Sequence, residues 1–324
     1  GRSGKRAHQL ARIAHNGTDR WINLTGTPAP AGLKDLWGQT WYLDRGLRLG
    51  RTFGAFQQRW FRRKWNSDYG MEPMPHSDAE IHGLLKDIYL TVDPKDYFDL
   101  KDPIYTRVQV TLPPQARKLY QKARDEMYIA LEELVQREGI NIVNAGVLMQ
   151  KCLQLANGAV YVDKVTREWA HVHDAKLEAL DSIVHEAGGA PIMVAYNFRS
   201  DRDRILKAFP GAVDISTPDG LQQFKSGKRT IGLAHPKSMG HGIDGLQYVT
   251  NILVFFGHDP KTGERMQFIE RAGPMRQLQA KLDRPVWVYD IVAKDTEDEN
   301  VMRIHHENKS IQDVLLDAMN RRRQ

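Results

Sequence analysis

One cysteine, Cys152, is all that 324 residues contain, so no internal disulfide can form and the chain fits a reducing compartment. Long apolar runs are equally scarce. None approaches the ~20 residues that span a bilayer, and no leader-like pattern opens the chain, so a cytosolic protein without a membrane partner is expected. There is no internal repeat and no low-complexity tract. A phosphate loop is missing: G-x-x-x-x-G-K-[ST] does not occur, and the Gly-Lys pairs, Gly4–Lys5 and Gly227–Lys228, are each followed by arginine. No Asp-Glu pair precedes Leu24. The motif H-E-x-x-H is absent, and His171 with His173, like His305 with His306, lacks the partner spacing of a zinc site, so no metal is expected.

What is present is a globular composition, 41% hydrophobic, with net charge +6 and pI ≈ 9.2. The length suggests two domains, and the mild positive charge favours an anionic partner. Its placement is more telling. Arginines 45, 48, 51, 59, 62 and 63 interleave with Phe53, Phe56, Trp60, Phe61 and Trp65. Phe53, Phe56 and Trp60 fall on one helical stripe and belong to a core, which leaves Arg59, Arg62 and Arg63 as candidate nucleic-acid contacts.

The N-terminus looks helical through His15, then Arg20 to Leu24 reads as a strand. Helices are predicted over 33–43 and 52–64, an irregular loop over 66–78, a short strand over 108–112, and helices over 115–137 and 143–156. After His173 the pattern changes. Apolar strands at 191–196, 212–216, 230–235, 251–256 and 286–292 alternate with helices at 174–186, 201–209, 220–225 and 263–282, and two helices close the chain. Unbroken apolar strands separated by helices predict a parallel sheet covered on both faces.

Ligands of such sheets sit beyond the carboxyl ends of the strands. Two stretches are expected there. In LTGTPAPAG, Thr25 and Thr27 flank Gly26 at a strand end that Pro28 stiffens; its plain reading is a connection of small residues. In HPKSMGHGIDGLQ (235–247), Gly240, Gly242 and Gly245 spell G-x-G-x-x-G and place Ser238, His241 and Asp244 at that edge. The dinucleotide fingerprint requires a helix to begin inside the motif. The next strand follows about five residues after Gly245, so an oxidoreductase reading fails on spacing. A third stretch, 267–292, carries Gln267, Arg271 and Arg276 before the last strand. An arginine there suits a transferring phosphoryl group, although a solvated helix face paired to Glu270 is the plain alternative.

In this order the segments resemble one family. LTGTPAPAGLKDLWGQ (24–39) is similar to motif III of the Swi/Snf-type, superfamily-two DNA helicases and translocases. PIMVAYNFRSDRDRI (191–205) resembles their motif IV, and IGLAHPKSMGHGIDGLQYVTNILVFF (231–256) their motif V. MQFIERAGPMRQ (266–277), trailed by RPVWVYDIVAKDTEDENVM (284–302), resembles motif VI, and HDAKLEALDSIV (173–184) the helix that opens the second lobe. The nearest in character are compact phage-encoded members, and the resemblance spans nearly the whole chain.

The resemblance implies an α/β, RecA-like (P-loop NTPase-type) parallel sheet with helices on both faces over 166–324. Before it come a mostly helical protrusion over 46–165 and a remnant of the first RecA-like lobe over 1–45. Thr25, Gly26, Thr27, Gly242, Asp244 and Gln267 would couple nucleotide state to movement. Arg271 or Arg276 would be the arginine finger, since Pro274 stands where the family places its second arginine. Asn197, Arg199, Lys237 and Ser238 would contact the DNA backbone without regard to sequence. ATP and Mg²⁺ would serve the complete enzyme, with none bound by this chain alone, because the missing phosphate loop and acidic box normally hold them. The expected partners are DNA and the missing N-terminal lobe, in a host cytoplasm if the gene is a phage's. The residual lobe-one piece, with a single strand, is expected to be poorly ordered, swapped onto a neighbour or docked on the helical region. A stand-alone basic α/β module that holds nucleic acid without turnover is the other reading.

Overall fold

In the computed structural model, the described residues are 5–25, 29, 32–63, 71–90, 97–137, 142–163, 165–239 and 243–307. They divide into two compact units, 1–93 and 94–324, where the sequence suggests boundaries near 45 and 165.

The first unit is built on aromatics. Helix α1 (Lys5–Asn16) packs on α2 (Lys34–Asp44): the His15 ring lies 4.6 Å from that of Trp41, and Asn23 donates to the Gln39 carbonyl at 2.9 Å. Residues 20–25 form no strand, and Ile22 and Leu24 are exposed. A lone strand leaves its backbone groups unpaired, and among the described residues this stretch pairs with neither strand of the unit's short sheet. Thr52 caps α3 (Phe53–Trp60) by accepting from the Ala55 amide at 3.2 Å. The helix stops four residues earlier than its pattern suggests, because Phe61 turns extended and buries against Phe56. A short antiparallel pair, β1 (Phe61–Arg63) with β2 (Met71–Pro73), then leads to α4 (Ser77–Leu85). Phe56, Trp60, Trp37, Ile81 and Leu85 form the core.

The second unit is a six-stranded, all-parallel sheet in the order β3 (Ile104–Val110), β10 (Trp287–Ala293), β9 (Ile252–Phe255), β6 (Ile192–Ala195), β8 (Ile231–Ala234), β7 (Ala212–Asp214). Helices α5 (Pro114–Arg137) and α6 (Ile142–Asn157) and the hairpin β4 (Ala159–Tyr161)–β5 (Trp169–His171) come between β3 and α7 (Ala175–Glu186). Then follow α8 (Arg199–Ala208), α9 (Pro218–Lys225), α10 (Thr262–Glu270), α11 (Pro274–Gln279) and α12 (Glu297–Glu307). In β6, Ile192 and Val194 enter one core with α5 to α8, while Met193 and Ala195 enter the other with Phe224 and Phe268. Both faces are therefore covered, as continuous apolar strands require. This is the RecA-like α/β class that the sequence implies.

Two details depart from the pattern. The helix predicted over 263–282 is broken by Gly273–Pro274, with the proline opening α11. Between β8 and β9 the chain makes only two 3₁₀ turns, 236–239 and 246–248, so the glycine-rich stretch contains no dinucleotide-type helix among the described residues. Nor is any described helix long and apolar enough to cross a membrane.

Candidate functional site

Strand order defines where a ligand edge lies. From β6 the chain crosses toward β7 and β8, whereas from β9 it crosses toward β10, so adjacent strands β6 and β9 send their connections in opposite directions. That is the topological switch point of an open parallel sheet. The crevice at this point is nearly filled. Asn197 donates through Nδ2 to the His258 carbonyl at 3.0 Å, and His258, itself buried, meets the Ile291 carbonyl through Nε2 at 2.9 Å.

The N-terminus of α8, beside this crevice, is where a phosphate loop would place its anion. Here the chain supplies its own. The Asp201 carboxylate accepts from the amides of Phe198 (2.8 Å) and Asn197 (3.2 Å) and from Asn157 Nδ2 (2.9 Å). With the amides of Asn197 and Phe198 taken, this turn offers a phosphate no free cradle, and these residues do not fit ATP.

Next to the filled crevice opens a cleft of about 400 Å³ over the carboxyl ends of β6 and β8, lined by Tyr161, Arg167, Tyr196, Asn197, Arg199, Arg202 and His235. Arg202 is balanced by Asp203 and Asp214, whereas Arg167 and Arg199 are exposed and make no ion pair among the described residues. Burial lowers the His235 pKa, which leaves the guanidinium groups as the cleft's charges at neutral pH. Lys237 and Ser238 follow His235 on the exposed turn after β8, with Ser238 Oγ donating to the His235 carbonyl at 2.7 Å. Thus Asn197, Arg199, Lys237 and Ser238 share the carboxyl edge. Tyr161, Arg167, Arg202 and His235 were not singled out from the sequence; Arg202 lies within the motif IV-like segment, but nothing in the pattern marks Arg167.

Asp244, Arg271 and Arg276 lie elsewhere, which corrects their expected place beside Ser238. Arg276 is ion-paired with Asp244, and Arg271 Nη1 donates to the Ile243 carbonyl at 3.2 Å. Gln277, beside Arg276, donates to the Thr250 carbonyl, and Thr250 donates to Pro191, the residue before β6. Gly245 sits against the end of the Lys225 side chain at the close of α9. The group is therefore at the amino end of the sheet, brought there by α10 running back from β9. Gln267 is half-buried, one turn before Arg271 on α10.

Gly26, Thr27, His241 and Gly242 lie outside the described residues, and Thr25 is exposed in the first unit. In that unit Arg59 is ion-paired with Glu80 and covers the Trp60 ring at 4.5 Å. Arg62 Nε donates to Glu72 at 2.8 Å, and Arg63 is exposed.

Buried titratable groups predict how stability depends on pH. Burial pushes the Asp201 carboxyl up to about 6 and the imidazoles of His173 and His305 down to about 4 and about 3. A raised acid holds its proton in the folded state, so its contribution is lost as pH rises through about 4 to 6; a lowered histidine is protonated first in the unfolded state and gains stability as pH rises toward 6.5. Burial also lowers His235 and His258 and raises Glu270 and Glu297, so among the described residues four lowered histidines stand against three raised acids. Unfolding free energy is expected to rise between pH 4 and 6.5, and Asp201→Asn to steepen the rise. Urea titrations across that range check this, and a shallower rise in Asp201→Asn would contradict it.

Fold and edge together define a RecA-like lobe with cations on its carboxyl edge. No family model matches the chain. It is 45% identical over 328 residues to putative protein p41 of Acyrthosiphon pisum secondary endosymbiont phage 1, covering 99% of this chain and 69% of that protein. The chain belongs to the family of that phage protein. Among solved structures, it is similar to the SWI2/SNF2 ATPase core domain of Sulfolobus solfataricus, at TM-score 0.47 and 16% identity over 89% of this chain. It is also similar to the C-terminal part of the Fun30 ATPase domain, at TM-score 0.47 and 12% identity over 68% of this chain and 97% of that one. The chain spans 59% of the length of the Sulfolobus core.

Proposed function

We propose that this chain is the C-terminal part of an ATP-dependent DNA helicase or translocase of Swi/Snf type, with residues 166–324 as its second RecA-like lobe. The observation that carries the reading is the placement of the motif-like segments on one parallel sheet. The segment resembling motif IV leaves β6, the one resembling motif V joins β8 to β9, and the one resembling motif VI joins β9 to β10. In this reading the carboxyl edge, through Arg199, Lys237 and Ser238, holds the DNA backbone, while Asn197 shapes the turn from its bond to His258. The amino end carries Gln267, Arg271 and Arg276, which would reach a phosphoryl group held by another lobe. Thr25, Gly26 and Thr27 would belong to that other lobe's cleft wall, coupling nucleotide state to movement.

ATP and Mg²⁺ would be held by a phosphate loop and acidic box supplied from outside residues 1–324. Purified residues 1–324, given ATP, Mg²⁺ and DNA, are therefore expected to release no phosphate above background, and addition of the missing lobe to restore turnover. DNA-stimulated release from the chain alone would overturn this. DNA binding that never gains turnover would favour a stand-alone nucleic-acid-binding module.

A further inference from the structure

The hairpin β4–β5 belongs to none of the motif-like segments, yet it forms one wall of the cationic cleft. Its loop is closed by the Val162 amide bonding the Glu168 carbonyl at 2.9 Å. Within the loop, Asp163 accepts from the amides of Val165 (2.6 Å) and Thr166 (2.7 Å). Its base is fixed to the opposite wall. The Tyr161 ring meets that of Phe198 edge-on at 6.5 Å, and the Ser200 amide donates to the Tyr161 hydroxyl at 3.4 Å. The described residues of the loop therefore present Arg167 into the cleft that Arg199 and Arg202 also line.

The lining says what kind of ligand fits. It includes no carboxylate, and the acids that neutralise Arg202 stand behind it. Tyr196 and Phe198 are buried in the core and offer no open ring for a base, and Tyr161, half-buried, is held edge-on to Phe198 with its hydroxyl accepting from the Ser200 amide. An open, shallow cleft with two uncompensated guanidinium groups recognises charge and planar oxygen geometry rather than base identity. Asp201 already occupies the amides of Asn197 and Phe198 in the turn before α8, and the Ser200 amide is bound to the Tyr161 hydroxyl, which removes most of the backbone cradle that a terminal phosphate of a free nucleotide requires. A phosphodiester passing along the edge needs no such cradle.

We propose that the cleft between the β4–β5 hairpin and the turn after β6 binds a backbone phosphodiester of a nucleic-acid strand, with Arg167 and Arg199 contacting it from opposite sides. The hairpin is then a second wall of the nucleic-acid track, and the assignment rests on the DNA-binding reading above.

The test is equilibrium binding of a fluorescent duplex oligodeoxynucleotide to the full chain across a salt series. Arg167→Gln is expected to weaken binding about five- to tenfold at low salt and to lower the slope of log Kd against log salt by about one, as loss of a single phosphate contact does. Arg167→Lys keeps the charge and should keep the slope. Lys101→Gln, exposed before β3 at the other end of the sheet and paired with Asp283, removes the same net charge and should leave binding within twofold. Because Arg167 is exposed, its replacement should not alter the thermal transition. If the unaltered chain binds no oligonucleotide, both the nucleic-acid reading and this site fall. If it binds and Arg167→Gln matches it, or if Lys101→Gln loses as much, the site alone falls. ATP displacing the oligonucleotide at equimolar concentration would reassign the cleft to a free nucleotide and overturn the phosphodiester.

Discussion

Replacing Lys176 with alanine is expected to lower the unfolding free energy by about 3–5 kcal/mol, the cost of stranding one member of a buried ion pair. Lys176 lies on α7 with no exposed surface, and its Nζ meets Asp298 Oδ2 at 2.6 Å, Asn157 Oδ1 at 2.8 Å and the Phe256 carbonyl at 3.1 Å. Three donors face three acceptors, so the ammonium is fully satisfied. Those acceptors come from α12, the end of α6 and the exit of β9, so one side chain ties together four elements behind the carboxyl edge. In its absence Asp298, also fully buried, keeps among the described residues the Ala293 amide alone, at 2.9 Å. Exchanging both charges, as Lys176→Met with Asp298→Leu, should recover part of the loss, since no charge is then left unpaired. Urea midpoints at unchanged m-value measure each step. A loss below about 1 kcal/mol in Lys176→Ala would mean that the pair does not organise the lobe. The same network reaches the candidate site: Asn157 also holds Asp201, which shapes the turn carrying Asn197 and Arg199. In the proposed DNA-binding reading, Lys176→Ala should therefore also weaken oligonucleotide binding even where the protein stays folded.

What was readable beforehand follows from range. Continuous apolar strands declare a parallel sheet because each one must satisfy two faces, and 192/194 against 193/195 does so in β6. Motif order carried the RecA-like class and the phage-type resemblance. The edge strand β3 was less legible. It reads IYTRVQV, mostly exposed or half-buried, and its partner β10 lies far along the chain. The stretch 20–24 has strand-like composition but pairs with no strand among the described residues, and pairing is not a local property. Arg199, Lys237 and Ser238 were legible because they directly follow apolar strands. Arg271 and Arg276 were placed at the wrong end because a helix, not a strand, decides their height. The nine residues of α10 return roughly 13 Å, about the length of a four-residue strand. Arg167 left no trace, since three-residue strands are too short to show a period.

The other large effect is expected at Gly158, where the chain leaves α6 for the hairpin. Its φ of +98° lies where side chains are strained, and a Cβ there would stand 2.1 Å from the His173 carbonyl oxygen and 2.7 Å from an Arg204 nitrogen. Neither neighbour is free to yield. His173 is held by its ring bond to the Leu155 carbonyl at 2.9 Å, and Arg204, buried, donates to the Asn157 and His173 carbonyls, both at 2.6 Å. Gly158→Ala must therefore part the hairpin from the start of α7 or break the arginine's bonds. Backbone strain of about 1–3 kcal/mol adds to the unmade buried hydrogen bonds, so a total of at least ~3 kcal/mol is expected. Gly227→Ala is the control: φ is +74° there, but nothing lies within 4 Å, so only the strain, about 1 kcal/mol, should appear. Thermal unfolding of the two variants separates backbone preference from steric exclusion. Equal losses would mean that the base of the hairpin has room to shift, and a wall that shifts could not hold Arg167 across from Arg199 as the phosphodiester site requires.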